Sequence, residues 1–381
     1  YVDVIATPGV AWLTRKLGAD AGAMISASHN SFEFNGIKFF SAGGFKLPDA
    51  TEDAIEALIE NDGDLTVRPQ GQEVGRLTRY DQGADDYLAH LQAIADVDLT
   101  GMRLVIDCAH GASYRTAPAL FQSLGAQVTA LGVQPDGINI NHECGSTYAH
   151  KLAAHVQQEE ADLGLAFDGD ADRLIAVDDQ GQIVDGDVMM AILAHDLDRR
   201  GLLAQKTIVA TVMSNFGLEA MADRDGFKLV RTPVGDRYVL EHMREANLSL
   251  GGEQSGHIIL LDDSTTGDGQ LTALRFLRAL KNQEEALPLS QARQVIQLFP
   301  QVLENVRVTE DLKNAIMVNP ILEEAVAEVE ARLGSQGRVL IRKSGTEPLI
   351  RVMIEGQDQE EIQAYANELV ALIDQLSRGE G

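Results

Sequence analysis

Strand-like runs alternating with amphipathic helical stretches, short polar turns joining them, and a change of element order near residue 298 together predict the fold class. The class is α/β: three similar βαβ-type domains with mixed, mostly parallel sheets, then a C-terminal α+β domain, arranged around a central cleft. A chain of 381 residues exceeds what one core supports, because domains typically run about 100–200 residues. The expected boundaries are 1–80, 81–179, 180–297 and 298–381.

The first domain reads as a strand at 2–5, a helix at 9–17, a strand ending at Ser28, a short returning strand at 37–40 and an acidic amphipathic helix at 49–59. The polar stretch from Asn61 onward reads as a linker. The second carries a helix at 85–94, a strand at 103–108, a glycine turn at Gly111 and a further helix. A strand at 127–131, a helix at 150–160 and an apolar strand at 163–167 follow. The third carries helices at 187–198, 216–222 and 236–245 between strands at 207–213, 228–232 and 248–250. In the last, a strand at 301–308 and a helix at 321–333 precede two strands flanking Ser344-Gly-Thr-Glu-Pro348. Alternation there puts Ile350, Val352 and Ile354 on one face and leaves Arg351 on the other. Asp358 and Glu361 form a capping-box-like start for the closing helix, whose Ile362, Tyr365, Leu369, Ile373 and Leu376 make one apolar stripe.

A weak internal repeat supports the three-fold count. Gly18-Ala-Asp, Glu160-Ala-Asp and Glu245-Ala-Asn each join a helix to a strand, and each strand opens into a polar loop. Those loops hold Ser28-His29-Asn30, the segment Asp168 to Arg173, and Glu253 to His257, at the strand ends where open α/β sheets bind ligands.

Composition narrows the function classes. No run approaches the roughly 20 apolar residues of a membrane helix. A formal net charge of −27 argues against nucleic acid and anionic membranes, which need a concentrated basic surface. Two cysteines, Cys108 and Cys144, without a Cys-x-x-Cys pair, fit a reducing cytoplasm and argue against zinc. The acid excess with few lysines also fits a high-salt habitat, which stability measured against salt tests. An anionic substrate must therefore be held by local cations.

Asp168-Gly-Asp170-Ala-Asp172-Arg173 follows an apolar strand and spaces three carboxylates with small residues, so that all three can turn to one point. Oxygen ligands with an incomplete shell suit Mg²⁺. The calcium EF-hand pattern fails at its sixth position, Arg173, and at its twelfth, Asp179. Ser28 ends its strand among small residues, with Lys38 returning beside it. A phosphate on Ser28 would add about −1.5 to −2 charge, and Lys38 and Arg173 are the nearest cations to balance it. There is no Gly-x-Ser-x-Gly elbow around Ser28. Glu253 and Ser255, between glycines, suit two neighbouring sugar hydroxyls, with His257 near a reacting proton. Arg342, Ser344, Gly345, Thr346 and Arg351 combine the usual parts of a phosphate grip, outside any Walker pattern.

These four stretches, in this order, resemble the α-D-phosphohexomutase superfamily over the whole chain. Ile25-Ser-Ala-Ser-His-Asn, Gly137-Ile-Asn-Ile-Asn, Gly235-Asp-Arg-Tyr-Val, Gly-Glu-Gln-Ser-Gly-His and Thr265-Thr-Gly-Asp-Gly269 are most similar to its bacterial phosphoglucosamine mutase branch. The resemblance implies that Ser28 is a phosphoserine that also contributes to the metal site, and that Asp168, Asp170 and Asp172 hold Mg²⁺. Glu253, Ser255, Asp236 and Arg237 would meet the sugar, while Arg342, Ser344, Gly345, Thr346 and Arg351 would hold the phosphate that does not react. Lys38 and His257, with His29 and Arg173, are the candidates for proton transfer and charge balance.

The implied reaction interconverts glucosamine 6-phosphate and glucosamine 1-phosphate through a hexosamine 1,6-bisphosphate, which also acts as activator, and serves UDP-N-acetylglucosamine and cell-wall synthesis. The implied partner is a small phosphosugar, and the sequence is compatible with a homo-oligomer. Ser31, Ala171 and His110 depart from the family's usual proline, glycine and asparagine. The family's opening Gly-Thr-x-Gly-x-Arg-Gly segment has no counterpart before Tyr1, so an incomplete first domain is expected. Competing readings are phosphomannomutase or phosphoglucomutase activity on the same scaffold, a haloacid-dehalogenase-type phosphatase, which expects threonine or valine where Asp172 stands, and a sugar-phosphate-binding fragment without turnover.

Overall fold

The computed structural model describes residues 1–60, 69–281, 287–344 and 347–378. The chain divides into two compact units, one formed by Tyr1–Met213 with Phe227–Val295 and the other by Ser214–Gly226 with Ile296–Gly381.

The larger unit opens with helix α1 (Thr7–Lys16), which starts two residues before the expected position because Pro8 fits the first helical turn. Residues 2–5, expected as a strand, are irregular. Strands β1 (Ala21–Ile25) and β2 (Ile37–Ser41) pair antiparallel, with Met24 opposite Lys38. Helices α2 (Asp49–Glu60) and α3 (Gly83–Ile94) follow. The next sheet is assembled from β3 (Arg103–Asp107), α4 (Thr116–Ser123), β4 (Gln127–Leu131), α5 (Ala149–Gln158), β5 (Leu163–Phe167), β6 (Leu174–Asp178) and β7 (Ile183–Val184). Its strand order is β4-β3-β5-β6-β7, parallel through β5 and antiparallel beyond. The parallel part is the βαβ expectation; β6 and β7 are a meander that the sequence reading did not contain.

Beyond α6 (Gly186–Arg199) come β8 (Thr207–Thr211), α7 (Phe216–Asp225), β9 (Lys228–Thr232), α8 (Asp236–Ala246), β10 (Leu250–Gly252), β11 (Ile258–Leu260), α9 (Gly269–Lys281) and α10 (Leu289–Ala292). The sheet order is β11-β10-β8-β9, with only β11 antiparallel. β10 starts two residues later than expected because Asn247 is left-handed (φ 53°) and the Leu248 N–H turns back to the Met243 carbonyl. The three repeat-like turns each contain one left-handed residue, Gly18, Glu160 and Asn247. Each therefore reverses the chain from a helix into a strand that ends at a polar loop.

In the smaller unit, β12 (Gln301–Arg307), α11 (Glu310–Met317), α12 (Pro320–Leu333), β13 (Gly337–Lys343), β14 (Leu349–Gly356) and α13 (Gln359–Ser377) make an antiparallel sheet of order β12-β14-β13 under helices. Its core joins Ile350, Val352 and Ile354 to Ile362, Leu369 and Ile373. Asp358 caps α13 through the Glu360 and Glu361 amides. α7 belongs to this unit: the Asn215 side chain bonds the Phe299 amide and carbonyl, and Phe216 meets Phe299 edge to face. Among the described residues no helix is long and apolar enough to cross a membrane.

Candidate active site

β1 ends at Ile25, and the Ser26 amide bonds the Gly36 carbonyl, closing the neck of a loop that carries Ser28. Ser28 holds a left-handed backbone (φ 54°), which a non-glycine residue adopts at a cost of about 1–2 kcal/mol. Two contacts hold it there. The Ser28 amide donates to Ser26 Oγ at 2.9 Å, and buried Asn141 donates to the Ser28 and Asn30 carbonyls at 2.9 and 2.8 Å. The Ser28 hydroxyl then donates to Asp168 Oδ2 at 2.7 Å. Gly169 is demanded by this approach, since a Cβ there would lie 2.6 Å from the Ser28 carbonyl oxygen.

Asp168, Asp170 and Asp172 sit in the β5–β6 turn, all buried, and each offers an oxygen within 4.8 Å of the others. Ala171, where the family favours glycine, is left-handed (φ 57°), which accounts for that preference. Lys38 brings its ammonium to Asp170 Oδ2 at 2.6 Å and Asp172 Oδ2 at 3.0 Å. Burial works against the Lys38 charge, but Asp172 and Asp170 outweigh it and hold its pKa above the ordinary lysine value. Burial, with Asp172 and Asp170 beside it, raises the Asp168 carboxyl well above the carboxylate range. Burial also opposes the charge on Asp172, yet His257, Lys38 and Arg173 overcome it and hold that carboxyl well below the range. Thr7 Oγ1 donates to Asp170 Oδ2 at 2.5 Å, and the Arg173 amide donates to Asp168 Oδ1 at 3.1 Å. Asp170 Oδ1 and Asp172 Oδ1 remain buried without a hydrogen bond. Two orphaned carboxylate oxygens beside a third carboxylate and a hydroxyl fit a hard divalent cation.

The β10–β11 turn is locked to this loop. The Leu174 amide donates to the Gly256 carbonyl at 3.0 Å, and the Gly186 amide to the Gln254 carbonyl at 3.0 Å. Gly256 is left-handed (φ 89°), and a Cβ there would meet the Leu174 carbonyl oxygen at 2.0 Å. Ser255 Oγ donates to Glu253 Oε2 at 3.2 Å, so the two expected sugar ligands stand together. His257 is only 2% exposed, its Nδ1 3.7 Å from Asp172 Oδ1 and its Nε2 3.3 Å from Asp236 Oδ2. Gly267 donates its N–H to the same Nε2 at 3.2 Å.

Asp236 pairs with Lys46. Burial opposes the Asp236 charge, but His257 and Lys46 hold its carboxyl below the ordinary range. Arg237 donates to the Leu47 carbonyl at 2.7 Å and to Glu52 at 2.8 Å and pairs with Asp49, so it clamps the first turn of α2. Arg173 Nε lies 3.8 Å from Asp172 Oδ1. His29 is exposed, and partial burial, then Arg173, lowers its pKa. Ser28, Lys38, Arg173 and the three aspartates are thus brought together with His257 beside Asp172, whereas Asp236 and Arg237 are engaged by Lys46 and by Glu52, Asp49 and the Leu47 carbonyl. Thr7, Lys46 and Asn141 were missed. Asn141 lies inside the Gly137-Ile-Asn-Ile-Asn motif, which was its only signal.

In the smaller unit, Arg342 on β13 stands directly opposite Arg351 on β14. Both Nε atoms are buried without a hydrogen bond. Burial, then Arg351, pulls the Arg342 pKa down. Arg351 reaches Glu347 at 3.1 Å, and the Ser344 hydroxyl accepts the Glu347 amide at 3.2 Å. Like charges opposite each other in a ladder destabilise it, and an anion between them relieves the cost. Gly345 and Thr346 lie outside the described residues.

A loop serine just beyond a strand, bonded to a buried carboxylate triad on an α/β framework, is the equipment of a phosphoryl-transferring enzyme. The chain belongs to the phosphoglucomutase/phosphomannomutase family, matching its α/β/α domain I over residues 1–65, domain II over 85–181, domain III over 185–299 and its C-terminal domain over 303–372. Within it, the chain is 52% identical over 374 residues to the phosphoglucosamine mutase of Pelobacter propionicus, covering 98% of this chain and 82% of that protein. It is 50% identical over 373 residues to that of Ruminiclostridium cellulolyticum, covering 98% and 83%. A crystal structure of a phosphoglucomutase/phosphomannomutase family protein from Burkholderia thailandensis superposes with a TM-score of 0.79 at 23% identity, over 98% of this chain and 83% of that one, and so shares the fold.

Proposed function

We propose that the chain is an intramolecular phosphotransferase interconverting glucosamine 6-phosphate and glucosamine 1-phosphate through phosphoserine 28 and a hexosamine 1,6-bisphosphate. The observation that carries the reading is the Ser28 hydroxyl 2.7 Å from Asp168 within the buried triad. In the first half-reaction a sugar hydroxyl oxygen bonds to the phosphorus of phosphoserine 28 as the Ser28 Oγ–P bond breaks; the hydroxyl's proton is passed to Ser28 Oγ, giving the bisphosphate and a free Ser28 hydroxyl. In the second, after the sugar has turned over, Ser28 Oγ bonds to the phosphorus of the other phosphate as its sugar O–P bond breaks; the serine proton passes to the sugar oxygen, so that phosphoserine 28 is regenerated and the monophosphate product leaves.

Asp168, Asp170, Asp172 and the Ser28 oxygen would hold Mg²⁺, which when bound supplies neutralising charge for the phosphoryl oxygens. Lys38 stays protonated between two carboxylates, so its part is to offset phosphoryl charge, together with Arg173. His29, exposed and next to Ser28 in the chain, is a proposed proton carrier. His257 acts by fixing Asp172. Glu253 and Ser255 take sugar hydroxyls, with Asp236 and Arg237 shaping the wall behind them. Arg342, Ser344, Gly345, Thr346 and Arg351 hold the distal phosphate. Positioning and charge supply most of the acceleration.

The boundaries 1–80, 81–179, 180–297 and 298–381, a cytoplasmic location and a homo-oligomeric state belong to the same proposal, as does a role in UDP-N-acetylglucosamine and cell-wall synthesis. Relative kcat/KM on glucosamine, glucose and mannose 6-phosphates tests it. A preference of about 10- to 200-fold for the amino sugar is expected from one recognised group; equal or inverted rates overturn the amino-sugar assignment.

A further inference from the structure

The C-terminal unit holds one buried lysine that the reaction as described does not use. Lys313, on α11, is 3% exposed, and its ammonium donates to the Ser344 carbonyl at 3.0 Å and the Glu347 carbonyl at 2.9 Å. Its one ion pair among the described residues is with Glu310 at 2.7 Å, one helical turn back, whose side chain is 77% exposed and therefore a weak counter-charge. A lysine buried merely to fill space would not bond the carbonyls of both Ser344 and Glu347. This one bonds the residue that leaves β13 and the residue that leads into β14, on either side of the turn between Arg342 and Arg351.

We infer that Lys313 is a positioning residue for the distal phosphate of the substrate. By bonding both the Ser344 and the Glu347 carbonyls it fixes the spacing of these two residues and, with it, the orientation of the Ser344 hydroxyl two residues beyond Arg342. Three observations agree. Ser344 is itself buried, its amide donates to the Leu349 carbonyl at 3.0 Å, and its Oγ already accepts the Glu347 amide, so its orientation follows from how the turn is closed. Lys343, next along β13, reaches back to Asn314 Oδ1 at 2.7 Å, so α11 grips the turn at two successive residues. Arg342 and Arg351 leave both Nε atoms unsatisfied, as expected of a site preset for an anion. A cation spent on two main-chain carbonyls and on Glu310 holds geometry without competing for the anion.

The inference rests on the reading of this turn as the distal-phosphate site, and the test separates the two. Binding of inorganic phosphate to the full chain is measured by calorimetry, with Arg342→Ala marking the share that belongs to this turn. Turnover is measured on glucosamine 1-phosphate. Lys313→Met is expected to weaken the Arg342-dependent phosphate binding at least tenfold and to raise KM by a similar factor, with kcat within about threefold and the far-ultraviolet circular dichroism unchanged. Lys313→Arg, which keeps charge and donors, is expected to restore binding to within about threefold.

Unchanged phosphate affinity in Lys313→Met overturns the inference, as does a fall in kcat at constant KM, the sign of a merely structural lysine. If Lys313→Met does not fold, Lys313→Gln, which can bond one carbonyl without charge, is expected to fall between wild type and the tenfold loss. Wild-type affinity in that variant, or loss of fold in both, overturns the inference. Should the wild type bind phosphate in an Arg342- and Lys313-dependent way yet fail to turn over the amino sugar, the mutase reading falls and the role of Lys313 stands.

Discussion

Replacing Lys38 by methionine keeps the side-chain stem and removes the ammonium that meets Asp170 Oδ2 at 2.6 Å and Asp172 Oδ2 at 3.0 Å. What remains is a buried group of three carboxylates with oxygens within 4.8 Å of one another. At that separation two unit charges repel by about 3.5 kcal/mol at an effective dielectric of about 20. Protonation of one carboxylate relieves part of this, and breaking buried ion pairs costs about 3–5 kcal/mol. The expected result is a loss of about 3 kcal/mol in urea unfolding at pH 8 with chelator present. Millimolar Mg²⁺ should return most of that loss, because its charge takes the ammonium's place. It should stabilise the variant more than the wild type. A loss below about 1 kcal/mol, or equal stabilisation of both proteins by Mg²⁺, would refute the claim that Lys38 balances the triad.

Three further outcomes follow from local geometry. Burial pushes the Asp268 carboxyl up to about 6 from 3.8, against hydrogen bonds from Leu271 and Tyr87. The folded state therefore holds this proton more tightly than the unfolded one, so the associated stability is full below about pH 4 and is lost as pH rises through 6. Wild type should lose up to about 3 kcal/mol more than Asp268→Asn between pH 4 and 7; parallel stability curves would contradict this. Gly256→Ala must push a Cβ into the Leu174 carbonyl from a left-handed backbone. We expect about 2–4 kcal/mol of destabilisation and a raised KM as Glu253 and Ser255 shift; wild-type values for both would count against the packing described. Arg342→Met removes one of two opposed like charges, and should stabilise phosphate-free protein by up to about 1 kcal/mol while raising KM. Lower stability in phosphate-free buffer would show that the pair is not strained.

The parts of the fold that could be read from the chain are those set by local pattern. β4, β5 and β9 fall at the expected residues because each is a short apolar or branched run closed by polar residues. The convergence of the three aspartates was legible for the same reason, since glycine and alanine between them after a buried strand let all three carboxylates turn to one point. α9 was not read, because its Arg275 and Arg278 look like surface charges. Both are buried against Asp96, with Asp263 and Asp196 completing the network, and those partners come from distant elements.

His257 was read as a proton carrier from its position after Gly-Glu-Gln-Ser-Gly. Its burial between Asp172 and Asp236 depends on α8 packing beside β10, which no local pattern announces. Arg237 was read as a substrate ligand from its motif, and its grip on Glu52 and Leu47 likewise depends on tertiary packing. Asn141 escaped notice as a support for Ser28 because 113 residues separate them.

The central claim is that Ser28 carries the transferred phosphoryl group, and peptide mass spectrometry tests it most directly. The full chain is incubated with Mg²⁺ and glucose 1,6-bisphosphate, then digested and mapped. Phosphate on Ser28, absent from Ser28→Ala together with turnover, is the predicted result. Phosphate on Asp168, or turnover that survives in Ser28→Ala, would contradict the account.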